Sequence, residues 1–102
     1  MKHPNRLLIA EGHPGRIIAQ DFIEGSGVTP HAVAVACGIK PPVLYSFLAG
    51  KRPLSAQMAL RLARYYGVDP QWFLNMQSAY HLTLAKIEFG KEIERSVVRR
   101  AA

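Results

Sequence analysis

The stretch from residue 29 to residue 52 constrains the chain most, because it predicts two short helices joined by a tight turn. Thr29 is a favourable N-cap, and Pro30 at the first helical position has no amide hydrogen that would need a partner. The first helix is therefore predicted over residues 30 to 37. Gly38 can adopt the left-handed conformation that ends a helix in a sharp turn.

The second of these helices begins at the Pro41-Pro42 pair and ends at Gly50. Its Leu44 and Phe47 are spaced to point back to the core, which leaves the opposite face of the helix free. This is the pattern of a helix-turn-helix, the motif that lays its second, recognition helix in the major groove of DNA. In the first helix, the residues predicted to face the core are Val33 and Cys37, with the small Ala34 at the close approach of the two helices.

The free surface of this motif predicts the DNA contacts. Cations at its edges and the amide groups at the start of the first helix are placed to bind phosphates. The exposed face of the second helix offers hydroxyl and methyl groups to the bases, but no Asn, Gln or Arg to read a purine with two hydrogen bonds. The predicted DNA-binding residues are Thr29, Pro30, His31, Lys40, Pro41, Pro42, Val43, Tyr45, Ser46, Lys51 and Arg52.

The distribution of charge favours a polyanionic partner. The chain of 102 residues has a formal net charge of +6. Residues 13 to 67 hold six Lys and Arg against two Asp and Glu, whereas residues 68 to 102 hold five against four. An excess of cations around the motif is the footprint expected of phosphate contacts.

The composition of the chain also indicates its cellular compartment. The sequence has no apolar run long enough to cross a membrane and no export signal, and we expect a cytoplasmic protein. Its single cysteine, Cys37, has no partner for an internal disulfide, which fits a reducing compartment. Cys37 is interpreted as small apolar filler of the core.

Two further helices flank the motif. One begins at Pro14, which suits the first helical position, and ends at the Gly-Ser-Gly sequence of residues 25 to 27. The other is capped by Ser55 and stopped by Gly67. Arg61 and Arg64 are expected on its solvated face, and its core stripe is predicted to be Ala59, Leu62, Ala63 and Tyr66.

The longest helix opens at Asp69 and Pro70, which repeat the cap-and-proline signal. Its apolar residues recur at intervals of three and four, and the first half, near Trp72, is expected to pack on the domain. Little core remains to be covered beyond about Tyr80, so the later apolar residues are better explained by a second protein. Gly90 is expected to interrupt this helix. The predicted homodimer interface is Tyr80, Leu84 and Ile87, with Phe89 and Ile93 as extensions.

The sequence divides into a flexible N-terminal arm at residues 1 to 12, a helix-turn-helix domain at residues 13 to 90 and a charged tail at residues 91 to 102. It does not predict an enzyme, a metal site or a cofactor. Glu88 and Glu92 lie one turn apart on a charged helix, where carboxylates are usually solvated. The histidines lack metal-ligand spacing; they are His3, His13, His31 and His81.

Four segments give the chain a family resemblance: the His-Pro-Gly sequence of residues 13 to 15, the helix-turn-helix, residues 59 to 67, and the aromatic-rich run of residues 70 to 80. Together they resemble the HigA/VapI-type antidote proteins of toxin-antitoxin modules, over about residues 12 to 90. The resemblance implies an all-α, five-helix, lambda-repressor-like DNA-binding domain with an extended C-terminal helix. It also implies a homodimer that binds an operator in its own promoter and neutralises a small mRNA-cleaving toxin.

The exposed face of the recognition helix differs from the family pattern, and two other functions are therefore alternatives. Family members usually place Asn, Arg or Glu on the exposed face of the recognition helix, whereas this chain has Pro42, Val43, Tyr45 and Ser46 there. A protein-binding module of the same fold, whose apolar helix contacts a partner, is one alternative. A stand-alone, phage-like repressor is the other. A small basic reading frame beside the gene would favour the antitoxin.

Overall fold

The computed structural model describes residues 12 to 101, and these form five α-helices without a strand. Helix α1 is Pro14–Ile18 and continues into a π-helical segment at Ala19–Ile23. The other four helices are α2 at Pro30–Cys37, α3 at Pro41–Leu48, α4 at Ala56–Tyr66 and α5 at Pro70–Ser96. The predicted all-α, five-helix fold is confirmed. The predicted N-terminal arm lies outside the described residues except for Gly12.

The helix ends follow the local chemistry that predicted them. Thr29 Oγ1 accepts the Ala32 amide hydrogen at 3.1 Å, and the Ser55 and Asp69 side chains cap α4 and α5 in the same way. Gly38 and Gly67 both have φ of 70°, the left-handed conformation in which other residues are strained. The start signals of α2, α4 and α5 and the stop signals of α2 and α4 are therefore confirmed.

The core lies between the helix-turn-helix, formed by α2 and α3, and the helices that surround it. Ala34 is fully buried where these two helices meet, as the sequence predicts. Large side chains from all five helices form this core; those that are essentially inaccessible to solvent are Ile18, Val33, Leu44, Phe47, Leu62 and Phe73.

The first half of helix α5 packs on the domain as predicted. Phe73 is its buried anchor, whereas the Trp72 side chain is 47% exposed. The expectation that Gly90 interrupts the helix is wrong, because α5 runs through it for 27 residues. A glycine in a helix costs only about 1 kcal/mol relative to alanine, which strong helix formers on either side can offset. The C-terminal half of α5 therefore projects beyond the core.

The His-Pro-Gly sequence joins α1 to the end of α3. His13 Nδ1 accepts the Gly15 amide hydrogen at 2.9 Å and so caps α1. The His13 ring is buried between Phe47 and Tyr80, with centroid distances of 5.9 and 5.2 Å. His13 is one of the histidines that lack metal-ligand spacing, and the sequence does not indicate its role in packing because both ring partners are distant in the chain.

We expect the stability of this domain to fall in mild acid because of His13. Burial, and secondarily the neighbouring His81, lower the pKa of His13 below its ordinary value of 6.5. The unfolded chain then binds the proton more readily than the folded one. The stabilising contribution of neutral His13 is therefore fully present above the ordinary pKa, and it is lost as pH falls toward the pKa of the folded state. His13→Asn keeps a capping side chain without the titration, and thermal melts between about pH 7.5 and 5 should show a smaller decline. Equal declines would mean that other groups cause it.

Candidate nucleic-acid interface

Helix α3 presents one face to the core and one to solvent. Leu44, Phe47 and Leu48 are buried, whereas Lys40 just before the helix and Pro42 within it are exposed. The Tyr45 side chain is 47% exposed, which makes it the most prominent apolar group on the outer face. The remaining predicted contacts on this helix, Pro41, Val43 and Ser46, are half-buried, and Val43 packs partly against the core.

The start of α2 is exposed to solvent and has a backbone N–H group without a partner in the helix. Thr29 and His31 are exposed, and Pro30 is half-buried. The Thr29 side chain takes the Ala32 amide hydrogen, and the Thr29 carbonyl takes that of Val33. Pro30 has no amide hydrogen, so the His31 N–H points outward from the positive end of the helix, a favourable place for an anion.

Two exposed cations, Lys51 and Arg52, follow α3 in a loop that is held from both sides. The Lys51 amide donates to the Ser46 carbonyl at 2.9 Å, and Gly50 has φ of 80°. The side chain of Gln77 then donates to the Leu54 carbonyl at 2.9 Å and accepts the Leu54 amide hydrogen. These backbone constraints fix where the two cations leave the domain. Gln77 belongs to the run of residues 70 to 80 that carries the family resemblance, but no sequence pattern indicated its partner, which is 23 residues away.

Arg61 has a role that the sequence analysis missed. Its guanidinium donates to the Cys37 carbonyl at 3.0 Å, and so binds the negative end of α2. The guanidinium also covers Gly38, where an added Cβ would lie 2.6 Å from Arg61 Nη1. Arg61 is exposed, as expected, but it also links α4 to the turn of the motif. Arg64 is exposed as expected.

The described residues do not assemble a metal site, and the cysteine among them is buried. Residues 12 to 101 contain no group of three His, Cys, Asp or Glu side chains that could hold a metal ion. Burial raises the pKa of the Cys37 thiol, with a smaller opposing effect from Arg61, and so disfavours the thiolate form that a nucleophile requires. The pKa of Tyr66 is raised to about 12, mainly by burial. Within the same residues, no helix is both long and apolar enough to span a bilayer.

The predicted dimer residues differ in how much they contribute to their own domain. Tyr80 is half-buried against the His13 ring, and Leu84 is also half-buried, whereas the Ile87 side chain is 36% exposed. More of the apolar surface of α5 lies elsewhere. Leu82, Phe89 and Ile93 are 56%, 46% and 51% exposed, and helical spacing places them on roughly the opposite side of α5 from Leu84. The expectation that Phe89 and Ile93 extend the interface of Tyr80, Leu84 and Ile87 is therefore wrong.

Known proteins resemble this chain both in sequence and in the arrangement of their helices. Residues 23 to 71 match a family model described as a helix-turn-helix domain. The chain is 39% identical over 74 residues to virulence-associated protein I of Dichelobacter nodosus, an alignment that covers 72% of this chain and 68% of that protein.

Solved structures extend the similarity to nearly the whole fold. The Pseudomonas aeruginosa antitoxin HigA, solved with the higBA promoter, has a TM-score of 0.82 at 34% identity, over 87% of this chain and 97% of that one. An addiction module antidote protein of a HigA family from Coxiella burnetii has a TM-score of 0.81 at 33% identity, over 86% and 96%. This chain belongs to the HigA family of helix-turn-helix antitoxins.

Proposed function

We propose that this chain is the antitoxin of a type II toxin-antitoxin module. It binds an operator in its own promoter as a homodimer, represses transcription and neutralises an mRNA-cleaving toxin. The observation that carries the proposal is an exposed recognition helix, flanked by cations, within the fold of a HigA antitoxin that was solved with promoter DNA. The operator and the mRNA are both in the cytoplasm, so we propose that the protein is cytoplasmic.

In this proposal, phosphate contacts supply most of the affinity. Lys51 and Arg52 leave a constrained loop at one end of α3, and Lys40 precedes the other end. The His31 amide adds a donor at the start of α2. Contacts to phosphates set the register of the protein on DNA but do not read its sequence.

Base readout would come from a small set of side chains on α3. The Ser46 hydroxyl and the Tyr45 phenol can hydrogen-bond to base edges, and Pro42 can contact a thymine methyl group. The half-buried position of Val43 leaves it a smaller part in such contacts. With so few groups that distinguish bases, DNA shape and deformability would contribute a large share of the specificity. The exposed Tyr45 also suits the alternative of a protein-binding module, which a DNA-binding measurement separates from the antitoxin.

A gel-shift titration against the DNA upstream of the chain's own gene tests the proposal. Each phosphate contact contributes about 0.9 to the slope of log affinity against log salt. Arg52→Ala removes two such contacts from a dimer and should lower the slope by about 1.8, and it should weaken operator and scrambled DNA alike. Arg95→Ala, at an exposed position near the end of α5, is the matched control and should leave the slope unchanged. Affinity that does not vary with salt, or an absence of binding, would contradict the DNA-binding function.

A further inference from the structure

An aromatic cluster, defined here as Phe22, Tyr65, Tyr66, Trp72 and Phe73, joins the end of α1 to the turn between α4 and α5. Phe22 is its centre, with ring centroids 4.8 Å from Tyr66, 6.0 Å from Trp72 and 5.9 Å from Phe73. Phe73 is fully buried. The rings at the two ends of the cluster reach the surface, since Trp72 is 47% and Tyr65 is 42% exposed.

The exposed rings are not explained by the fold or by DNA. Phe73 already anchors α5 in the core, so the domain does not need Trp72 at the surface for that purpose. The opposite end of α1 lies beside the DNA-binding loop, because an added Cβ at Gly50 would lie 3.6 Å from the His13 ring. Trp and Tyr that remain exposed in this way are the residue types that dominate the energetics of protein interfaces.

The charged residues next to the aromatic cluster indicate what kind of partner would bind it. The three carboxylates between residues 12 and 87 all adjoin the aromatic cluster in sequence. Asp21 and Glu24 are exposed beside Phe22, and Asp69 is exposed where its side chain caps α5, three residues before Trp72. Arg61 and Arg64 line a shallow cavity together with Tyr65, so the carboxylates are concentrated at the Phe22 and Trp72 end of the cluster. Carboxylates around an apolar centre disfavour nucleic acid and favour a cationic protein surface.

We propose that the aromatic cluster and its three carboxylates form the docking surface for the toxin. This inference rests on the proposed function, which makes the partner an enzyme that cleaves mRNA. Such an enzyme needs cationic side chains to hold the phosphate backbone of its substrate. Trp72 and Tyr65 would fill apolar pockets of the toxin, while Asp21, Glu24 and Asp69 pair with its cations and cover part of its RNA-binding surface.

Trp72 is the only tryptophan of the chain, which allows a direct test. The antitoxin is prepared with fluorotryptophan and titrated with a catalytically inactive form of the toxin encoded beside it. The single fluorine resonance should shift on binding. Trp72→Ala should weaken toxin binding by roughly 30-fold, as expected for an interface hot spot, while operator binding stays at the parent level and shows that the variant folds. Tyr45→Ala, an exposed tyrosine on α3, is the matched control and should weaken operator binding while toxin binding stays unchanged.

The outcomes separate the two levels of the proposal. A toxin that binds the parent without moving the fluorine resonance, and binds Trp72→Ala equally well, overturns the docking surface and leaves the antitoxin function standing. A parent chain that does not bind the toxin at all overturns the neutralising function, and the docking surface with it. Asp21→Asn combined with Glu24→Gln provides a second measurement, since it should slow association and reduce its dependence on salt if the carboxylates steer a cationic partner.

Discussion

Gly15→Ala is expected to destabilise the domain by about 3 kcal/mol, at the upper end of the usual cost of overpacking. An alanine Cβ at this position would overlap the Phe47 carbonyl oxygen and lie 2.7 Å from the carbonyl carbon. These atoms belong to the backbone of the recognition helix, so no rotation of a side chain can relieve the clash. Helix α1 and α3 must move apart, which also displaces the capping His13 ring from Phe47.

Thermal melting and operator titration measure the two consequences of this change. A loss of about 3 kcal/mol corresponds to a fall in Tm of at least about 12 °C for a domain of this size. Operator affinity should fall as well, because the displaced helix carries the base contacts. Gly90→Ala is the control: the same methyl group meets no atom within 4 Å in a helix interior, and should stabilise by about 0.5 to 1 kcal/mol. A Tm of Gly15→Ala close to that of the parent would show that the approach of α1 to α3 is looser than described.

The contrast between Gly15 and Gly38 shows what could be predicted from the sequence. Gly38 ends α2 for a local reason, a left-handed backbone conformation, and its role was predicted from its neighbours. Gly15 is needed because a backbone 32 residues away lies against it, and no periodicity encodes that contact. The same holds for the hydrogen bonds of Gln77 and Arg61, each made to a main-chain group more than 20 residues distant.

The residues of the candidate site show the same contrast between local signals and contacts to distant parts of the chain. The exposure of Lys40, Tyr45, Lys51 and Arg52 follows from cap positions and from the spacing of Leu44 and Phe47, which the sequence displays. The partial burial of Val43 depends on how closely α3 settles against the core, and this is a tertiary effect. Trp72 and Phe73 were hard to separate for the same reason. Adjacent aromatic residues on an amphipathic helix both match the apolar pattern. Both contact Phe22, at 6.0 and 5.9 Å, but only Phe73 also reaches the core, and that depends on how α5 docks on the domain.

The largest expected loss of DNA binding comes from breaking the proposed homodimer. One recognition helix rarely buries enough surface for specific binding, and two helices about 34 Å apart fit successive turns of the major groove. The combined variant Leu84→Asp and Ile87→Asp places charge on the predicted interface, while Phe73 still anchors α5 in the core. It should sediment as a folded monomer in analytical ultracentrifugation and retain only non-specific affinity for DNA, a loss of about a thousandfold or more.

The opposite side of α5 supplies the decisive comparison. Leu82→Asp combined with Phe89→Asp introduces the same charges on side chains that are more exposed in the single chain. If the dimer uses Tyr80, Leu84 and Ile87, this second variant should remain dimeric and bind the operator like the parent. If instead it is the monomeric one, the copies pack through Leu82, Phe89 and Ile93. Leu84 and Ile87 then serve only to hold the projecting half of α5 beside its own domain, as Tyr80 does through the His13 ring.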